Sequence, residues 1–215
     1  MTKSTSSTRW SLTLLIIGLV AAGLHTRGSI EPRFATSSVI DAQKQETASA
    51  LFLPIELPRP TPSAHASSIA FMQDGSLLIA WFGGTREGAD DVAIQMARVK
   101  DGRVQDSWNS LTCEQLEGLT HRVIRTLGNP VVWIDADGRV QLNVVSVSYG
   151  GWAGSSVNQL HSQDGGKSWS AAQRLILSPL FNLSTLVRNQ VVAMQDGTIG
   201  LPAYHELLHK WGMWV

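Results

Sequence analysis

The stretch Ser162-Gln-Asp-Gly-Gly-Lys-Ser-Trp169 brings together the side chains that build one tight hairpin. Glycine adopts the positive φ angles of such a turn at little steric cost, which favours Asp164-Gly165 at its corner. The Asp164 carboxylate and the neighbouring hydroxyls can satisfy the N–H groups of the turn. We expect Trp169 to cover the hairpin with its large ring. The pattern S-x-D-x-G-x-S-W is that of an Asp-box, which indicates a fold before it indicates any chemistry.

Asp-Gly pairs recur along the chain with a shared period. They begin at Asp74, Asp101, Asp137, Asp164 and Asp196. From 74 to 137 is 63 residues, from 101 to 164 is again 63, and from 137 to 196 is 59. Two interleaved series of turns with one period indicate a unit of two hairpins, or four antiparallel strands. Repeats of this length are typical of propellers and solenoids.

Apolar runs next to these turns predict strands over Ser76–Phe82, Arg139–Val145 and Asn189–Met194. They are rich in β-branched and aromatic residues and are bounded by Gly, Asp and Asn. Lys100–Trp108 reads as a degenerate outer hairpin of the first unit that keeps its tryptophan. Four-stranded units arranged around an axis form a β-propeller, so we predict an all-β fold.

The composition is that of an ordinary globular protein. Basic and acidic residues are balanced at 17 each, and 43% of the residues are hydrophobic. This balance gives no sign of a nucleic-acid partner or of a polybasic membrane surface. Cys113 is the only cysteine. We predict that it is a small buried core residue and not a catalytic thiol.

The N-terminus has the pattern of an export signal. Lys3 and Arg9 precede an apolar run over residues 10–22, and Val20 with Ala22 suits cleavage after Ala22. We predict a signal peptide over residues 1–24, with an uncleaved membrane anchor through residues 10–24 as the alternative. The protein is therefore expected in the periplasm or outside the cell.

A proline-rich linker is predicted over residues 25–64, because prolines stand at 54, 58, 60 and 62. The propeller domain is then residues 65–215, which holds about two and a half repeats of the period above. Propellers close with about four to eight blades. We therefore expect this chain to be the N-terminal part of a longer protein, and self-assembly into a ring is the alternative. The sequence makes no prediction of the oligomeric state.

Six segments carry a resemblance to a known family. They are His65–Ala70, Ala80–Val92, Leu127–Pro130, Gly150–Asn158, Asn182–Asn189 and Leu201–Glu206. With the Asp-box and the period, they make the chain resemble the sialidase (neuraminidase) superfamily, in its bacterial predicted-sialidase or BNR-repeat branch. The resemblance covers roughly residues 60–215. It implies a six-bladed propeller of sialidase type, present here as an incomplete set of about two and a half blades.

The resemblance also implies chemistry. Sialidases use an aspartic acid as acid/base and a tyrosine activated by a glutamate as nucleophile, an exception to the usual two-carboxylate scheme. Asp90 or Asp91 stands where the acid/base is expected, and Arg86 on the same loop is a candidate substrate contact. The nucleophile and the later arginines would lie beyond residue 215. His65 stands where sialidases have a carboxylate-binding arginine, so the resemblance implies an exo-glycosidase of sialidase type more than a sialidase.

Other candidates are polar or aromatic residues at the ends of predicted inner strands and on the loops beside them. We expect Asp90 or Asp91, crowded by each other and by Glu87, to have the raised pKa that a general acid requires. Equivalent positions of successive blades meet at one pocket, where His65, Asn129 and Arg188 are expected to converge. The predicted substrate-binding residues are His65, Arg86, Glu87, Asn129, Trp152, Arg188, Asn189, Tyr204, His205 and Glu206.

One motif suggests a different class of protein. His205-Glu-Leu-Leu-His209 spells H-E-x-x-H, a zinc motif that requires a helix and a third ligand. The strand-like Gly197–Ala203 precedes it, so a zinc metalloprotease is the least favoured function. We predict hydrolysis of a terminal glycosidic bond of a glycan, without metal or other cofactor. A non-catalytic glycan-binding Asp-box propeller is the main alternative, because a fold does not determine a function.

Overall fold

The computed structural model describes residues 53–177, 184–207 and 210–214 of the chain. The predicted signal or anchor over residues 1–24 lies outside them, as do residues 25–52 of the predicted linker. Within the described part, no helix has both the length and the apolar character needed to cross a membrane.

The described residues form antiparallel sheets that follow one another along the chain. The first sheet has the order β1-β2-β3-β4, with strands Ser63–Phe71, Leu77–Gly84, Ala93–Lys100 and Arg103–Leu111. The helix α1, Cys113–Thr120, leads to the second sheet, β5-β6-β7-β8, with strands Thr126–Ile134, Val140–Val147, Ser155–Ser162 and Gln173–Arg174. A short 3-10 helix, Gly151–Gly154, connects β6 to β7.

The third repeat is less regular. Its strands are β9 Thr185–Val187, β10 Val192–Ala193, β11 Ile199–Gly200, β12 Ala203–Leu207 and β13 Lys210–Trp214. They form a three-stranded sheet, β13-β12-β9, and a separate β10-β11 hairpin. Pro202 lies between β11 and β12, and a proline cannot donate a hydrogen bond to a neighbouring strand. The predicted strand over Asn189–Met194 is therefore shorter than expected, while the other two predicted strands are confirmed as β2 and β6.

The turn after the first strand is the same in all three repeats. In each, a glycine with positive φ ends a turn closed by two backbone hydrogen bonds. In one bond of each turn, the backbone N–H of Met72, Asp135 or Met194 donates to the carbonyl of Ser76, Arg139 or Thr198, respectively. In the other, the N–H of Gly75, Gly138 or Gly197 donates to the carbonyl of Met72, Asp135 or Met194. All these bonds are between 2.8 and 3.1 Å long. The repeat predicted from the Asp-Gly spacing is thus a repeat of backbone geometry.

A bulge interrupts the first strand of the first two sheets. The register of β1 shifts between His65 and Ser68, and that of β5 shifts between Gly128 and Val131. Ala66 and Asn129 are in the left-handed region, with φ of 50° and 40°. Ala66 is therefore the counterpart of Asn129, and His65 is the counterpart of Gly128. The expectation that His65 matches Asn129 is wrong by one residue.

The sheets stack face to face around two shared cores. Alternate residues of β2, such as Leu78 and Phe82, pack with Leu142 and Val144 of β6 in a core between the first and second sheets. On the opposite face of β6, Val145 packs with residues of the third sheet that include Leu186 and Val187. Antiparallel sheets stacked in this way are propeller-like.

The Asp-box joins two sheets. The indole N–H of Trp169 donates to the Ser110 carbonyl at 2.9 Å, so the ring reaches β4 of the first sheet. In return, Trp108 Nε1 and Ser110 Oγ both donate to the Gly166 carbonyl, at 2.9 and 2.6 Å. A side chain at Gly166 would meet Met96 Sδ at 2.8 Å. Trp169 therefore stabilises the contact between sheets, and not only its own hairpin as the sequence suggested.

The proline-rich segment does not act only as a spacer. Residues 63 and 64, which the sequence places in the linker, begin β1. Leu57 packs against Ile79 and Trp81 on the face of the first sheet that points away from the second. At least this end of the predicted linker is therefore part of the folded domain.

Hydrogen bonds within the Asp-box hold Asp164 in its ionised form. Its carboxylate accepts bonds from the Ser162 and Ser168 hydroxyls at 2.6 and 2.5 Å, and from the backbone N–H groups of Ser168 and Lys167. These bonds, with that of Ser162 the strongest, hold the pKa of Asp164 well below its ordinary value. A carboxyl with a depressed pKa stabilises the fold above its unfolded pKa of about 3.9 and loses that contribution as the pH falls below it.

We expect Asp164→Asn to reduce the acid dependence of stability. The free energy of unfolding of the wild-type protein should fall between pH 5 and pH 2 more steeply than that of the variant, as measured by urea unfolding across this range. Asp101→Asn is the matched control, because Asp101 makes no side-chain hydrogen bond in the described chain and occupies a left-handed turn position that suits Asn. Equal pH slopes for Asp164→Asn and the wild type would contradict this role.

Candidate functional site

The predicted acid/base loop lies at the end of the sheets opposite the Asp-box. The antiparallel register pairs Ser63 with Gly84, Thr126 with Val147, and Thr185 with His205. The loops that follow β2 and β6 therefore share one end with the starts of β1, β5 and β9. The Asp-Gly turns lie at the other end of the same strands. Loops that connect strands on a rigid scaffold are common positions for binding and catalytic residues.

Asp91 holds the loop after β2 in place. Its carboxylate accepts two bonds from the Thr85 backbone N–H, at 3.1 and 3.0 Å, and a third from the Thr85 hydroxyl. The approach requires glycine at position 84, because an added Cβ there would meet Asp91 Oδ1 at 2.8 Å. Asp91 thus closes a loop that runs from Thr85 to Asp91.

The same bonds determine the charge of Asp91. The Thr85 hydroxyl, followed by its N–H and the charge of Arg86, lowers the pKa of Asp91 against a smaller opposing effect of burial. Asp91 is therefore ionised at neutral pH. The expectation that crowding raises the pKa of this carboxyl is wrong for Asp91, because hydrogen bonds to the charged form outweigh the effect of burial.

The other charged residues of the loop are exposed. Arg86 Nη1 donates to the Glu87 carbonyl at 3.4 Å, so these two residues interact within the loop. Asp90 makes no hydrogen bond or ion pair with the residues that the structure describes. Burial raises the pKa of the half-buried Cys113 thiol to about 11, and the charges of Glu117, Asp90 and Asp91 add to this effect. Cys113 therefore stays a neutral thiol.

A pocket of about 210 Å³ lies between this loop and the loop that follows β6. Gly88 contributes from the first loop and Trp152 from the second. The remaining lining comes from the start of β5, the end of β6 and the loop between β6 and β7, namely Arg125, Thr126, Val147, Ser148, Tyr149, Gly150 and Gly151. Hydroxyl, cationic and aromatic side chains thus surround one cavity.

Trp152 anchors the loop after β6. A Cβ added to Gly128 would meet its ring at 2.6 Å, so the indole packs directly on the backbone of β5. The ring is half-buried and packs against the core between the second and third sheets. The sequence predicted Trp152 as a substrate-binding residue; the structure shows its ring packing between sheets, and Trp152 also lines the pocket.

Asn129 and Tyr204 connect the second and third sheets. Asn129 Nδ2 donates to the Tyr204 hydroxyl at 3.1 Å, from the bulge of β5 to β12. Burial raises the pKa of Tyr204, while the Asn129 bond and the charge of Arg188 oppose this effect. Tyr204 is therefore a neutral phenol at physiological pH. The structure brings Asn129, Tyr204, Arg188 and Glu206 into one neighbourhood, next to Trp152.

His205 and Glu206 have structural contacts. Ser184, at a positive φ of 55°, approaches His205 Nδ1 with its carbonyl at 3.2 Å and accepts from the Glu206 N–H with its hydroxyl at 2.8 Å. Both residues lie in β12, which is a strand and not the helix that the zinc motif requires. His209 lies outside the described residues. No group of three metal-ligating side chains is found within the described chain.

Of the predicted site residues, all of which lie in the described part of the chain, only Trp152 lines the 210 Å³ pocket. Arg188 and Asn189 follow β9 and are exposed. His65 stacks on Phe82 with ring centroids 5.5 Å apart, and its Nε2 lies 2.9 Å from Ser63 Oγ. It lines a different pocket, of about 380 Å³, between β1 and residues 55–59. His65 and Asn129 therefore do not line one cavity in the described part of the chain.

Sequence reasoning missed Arg125, Thr126 and Tyr149. A signal for Thr126 was present in the repeat, because Ser63, Thr126 and Thr185 stand 63 and 59 residues apart, the same intervals as the Asp-Gly turns. Each is the first residue of its inner strand, so a hydroxyl recurs at this position. Arg125 and Tyr149 carry no such signal, since the packing of two loops brings them together.

Comparison with known proteins identifies the family. A sequence profile of the BNR repeat-like domain matches residues 75–215, about two thirds of the chain. The chain belongs to the BNR repeat-like family. The resemblance to the sialidase and BNR superfamily is thereby confirmed. No curated protein matches the sequence.

Solved structures show the same fold. The BNR repeat-like chain is similar to a Hadza microbial sialidase, with a TM-score of 0.57 and 16% identity over 71% of this chain and 35% of that one. It is also similar to an endo-arabinase from Bacteroides thetaiotaomicron, with a TM-score of 0.51 and 10% identity over 70% of this chain and 54% of that one. The chain spans about a third of the first protein and about half of the second.

Proposed function

We propose that this BNR repeat-like chain is part of a sialidase-like exo-glycosidase that hydrolyses a terminal glycosidic bond of a glycan. The proposal is based on the difference in contacts between the two aspartates of the loop after β2. Asp91 is bound by Thr85 and ionised, whereas the exposed Asp90 makes no hydrogen bond or ion pair with the described residues. Gly88 of the same loop lines the 210 Å³ pocket. The loop thus carries an exposed carboxyl two residues along the chain from a wall of the cavity.

Each acid then has one role. Asp90 is the acid/base, which protonates the oxygen of the leaving group and later activates water. Asp91 is a positioning residue, because its bonds to Thr85 determine the shape of the loop that carries Asp90. Asn129, Arg188 and Tyr204 are the substrate contacts on the side of the third sheet. The nucleophile belongs to a segment beyond residue 215.

The remaining parts of the proposal concern the whole protein. Six blades would close the ring, and this chain would supply the first two and part of the third. An export signal in residues 1–24 would direct the protein to the periplasm or the cell exterior, where its glycan would be found.

The direct test is release of sugar by the full-length protein. Purified protein is incubated with a panel of oligosaccharides and aryl glycosides with different terminal sugars, sialosides included, and the products are separated by anion-exchange chromatography. Release of a terminal monosaccharide supports the proposal. Binding of glycans on an array without release from any substrate would replace it with the non-catalytic glycan-binding function.

A further inference from the structure

The 210 Å³ pocket has a polar group that the described part of the protein leaves unsatisfied. Thr126 is only 5% exposed, and its hydroxyl has no hydrogen-bond partner among the described residues. A buried hydroxyl without a partner costs free energy, and most such groups in folded proteins are paired. Thr126 lines the pocket while its hydroxyl oxygen is itself covered, so a small displacement of the pocket wall on binding would let a ligand supply the missing partner.

The loop after β6 presents an aromatic ring at the same pocket. Tyr149 is 69% exposed although its ring is largely apolar. The loop is nevertheless firmly built: Trp152 packs on Gly128, and a Cβ at Gly154 would overlap the Tyr149 carbonyl oxygen. Gly150 adopts a positive φ of 77° directly after Tyr149. The exposure of Tyr149 is therefore a feature of a well-packed loop.

Arg125 completes the lining. Its backbone N–H donates to the Val147 carbonyl at 2.8 Å, which holds the residue between β5 and β6. Its guanidinium makes no ion pair or hydrogen bond with the described residues, and the residue is exposed. It therefore offers several N–H donors at the edge of the pocket.

We propose that Tyr149, Thr126 and Arg125 form a subsite for one neutral pyranose ring, an inference that rests on the proposed function only in taking the ligand to be a glycan. A pyranose has an apolar C–H face and a rim of hydroxyls. Its face stacks on Tyr149, while its hydroxyls pair with the Thr126 hydroxyl and the Arg125 guanidinium. The cavity is smaller than the roughly 300–1,000 Å³ of pockets for drug-sized ligands, so it suits a single ring.

The test measures binding separately from hydrolysis. Full-length protein carrying Asp90→Asn, which prevents turnover, is applied to an array of neutral and acidic oligosaccharides, and the Kd of the strongest ligand is then measured by calorimetry. Tyr149→Ala in this background is expected to weaken binding about tenfold or more, whereas Tyr149→Phe keeps the ring and stays within about twofold. Thr126→Val is expected to weaken binding about threefold to tenfold, the effect of one hydrogen bond.

Thr126→Val has a second readout that a purely structural role would not produce. Replacing an unsatisfied buried hydroxyl by a methyl group should leave the Tm of the free protein unchanged or raise it, while glycan binding falls. A lower Tm together with unchanged binding would overturn the role of Thr126 in the subsite.

The outcomes separate this inference from the proposed function. Glycan binding that Tyr149→Ala abolishes, without sugar release by the wild type, would support the subsite and refute the hydrolase. Sugar release with the same KM in the wild type and in Tyr149→Ala would support the hydrolase and refute the subsite. Binding confined to glycans without a neutral ring would also overturn the subsite.

Discussion

Asp90→Asn is expected to lower the rate of glycoside hydrolysis by the full-length protein by about 100-fold to 10,000-fold, the contribution typical of a positioned acid/base. Asparagine has nearly the same size as aspartate but cannot transfer a proton. Since Asp90 makes no hydrogen bond or ion pair with the described residues, its replacement removes no observed interaction of the fold. We therefore expect kcat to fall while the Tm and the affinity for substrate change little. Initial rates, calorimetric binding and thermal unfolding test these three expectations.

Asp91→Asn separates the acid/base from the residue that positions it. The amide keeps one acceptor for the Thr85 bonds but loses the charge that these bonds stabilise. A change in loop shape should affect both KM and kcat. Asp91→Glu should not restore activity, because the Asp91 carboxylate already lies against Gly84 and an added methylene group would move it away from its bonds to Thr85. If Asp91→Asn strongly lowered kcat with unchanged KM while Asp90→Asn kept full activity, the roles of the two acids would be reversed.

Leaving groups give an independent test of Asp90. An activated aryl glycoside departs without protonation, whereas a natural sugar leaving group requires a general acid. Asp90→Asn should therefore lose much less kcat/KM on a 4-nitrophenyl glycoside than on the corresponding disaccharide, because kcat/KM reports the step in which the leaving group departs. An equal loss of kcat/KM on both substrates would show that Asp90 does not protonate the leaving group. Asp101→Asn, at the opposite end of the sheet, serves as the matched control and should retain full activity on both.

Trp169→Ala is expected to have the largest effect on stability, about 3 kcal/mol, the lower part of the range for tryptophan truncations because this ring is half-buried. The change removes apolar contact between the first two sheets and both indole bonds to Ser110. Ser110 is buried, so its carbonyl would lose a donor that water cannot readily replace. Urea unfolding of the full-length protein measures the loss.

Trp169→Phe is the control that separates the ring from its N–H group. It keeps most of the apolar contact and removes only the indole donor, so we expect a loss of about 1 kcal/mol. Amide hydrogen exchange locates the effect: in Trp169→Ala, exchange should become faster in β4 as well as in β7, because the ring joins both sheets. Faster exchange in the 162–169 hairpin alone would mean that Trp169 stabilises only its own turn.

Local features of the fold could be predicted because their causes lie within a few residues of one another. The Asp-Gly turns recur with the same backbone bonds in three repeats, since a positive φ and side chain–backbone bonds require only adjacent residues. The strands β2 and β6 follow from runs of apolar residues beside these turns. The third repeat departs from the prediction where Pro202 divides the second strand of the unit.

Less of the candidate site could be predicted, as Asp91 and Trp152 illustrate. Sequence proximity suggested that neighbouring acids repel one another, but the curvature of the loop places Thr85 against Asp91 and lowers its pKa. Trp152 was predicted as a substrate-binding residue, and its packing on Gly128 became known only from the structure. Such contacts depend on the exact course of a loop or on the pairing of strands distant in the chain, which the residue pattern does not contain.

By itself, the sequence determined the repeat, the all-β fold, the Asp-box hairpin and the loop that carries Asp90 and Asp91. Turn geometry and strand formation are decided by interactions between residues close in the chain. Only the tertiary structure decided that Trp169 joins two sheets, that Asp91 is bound by Thr85, and that Thr126 and Tyr149 share a pocket. Packing of one sheet on the next, the curvature of a loop and the pairing of distant strands bring such residues together.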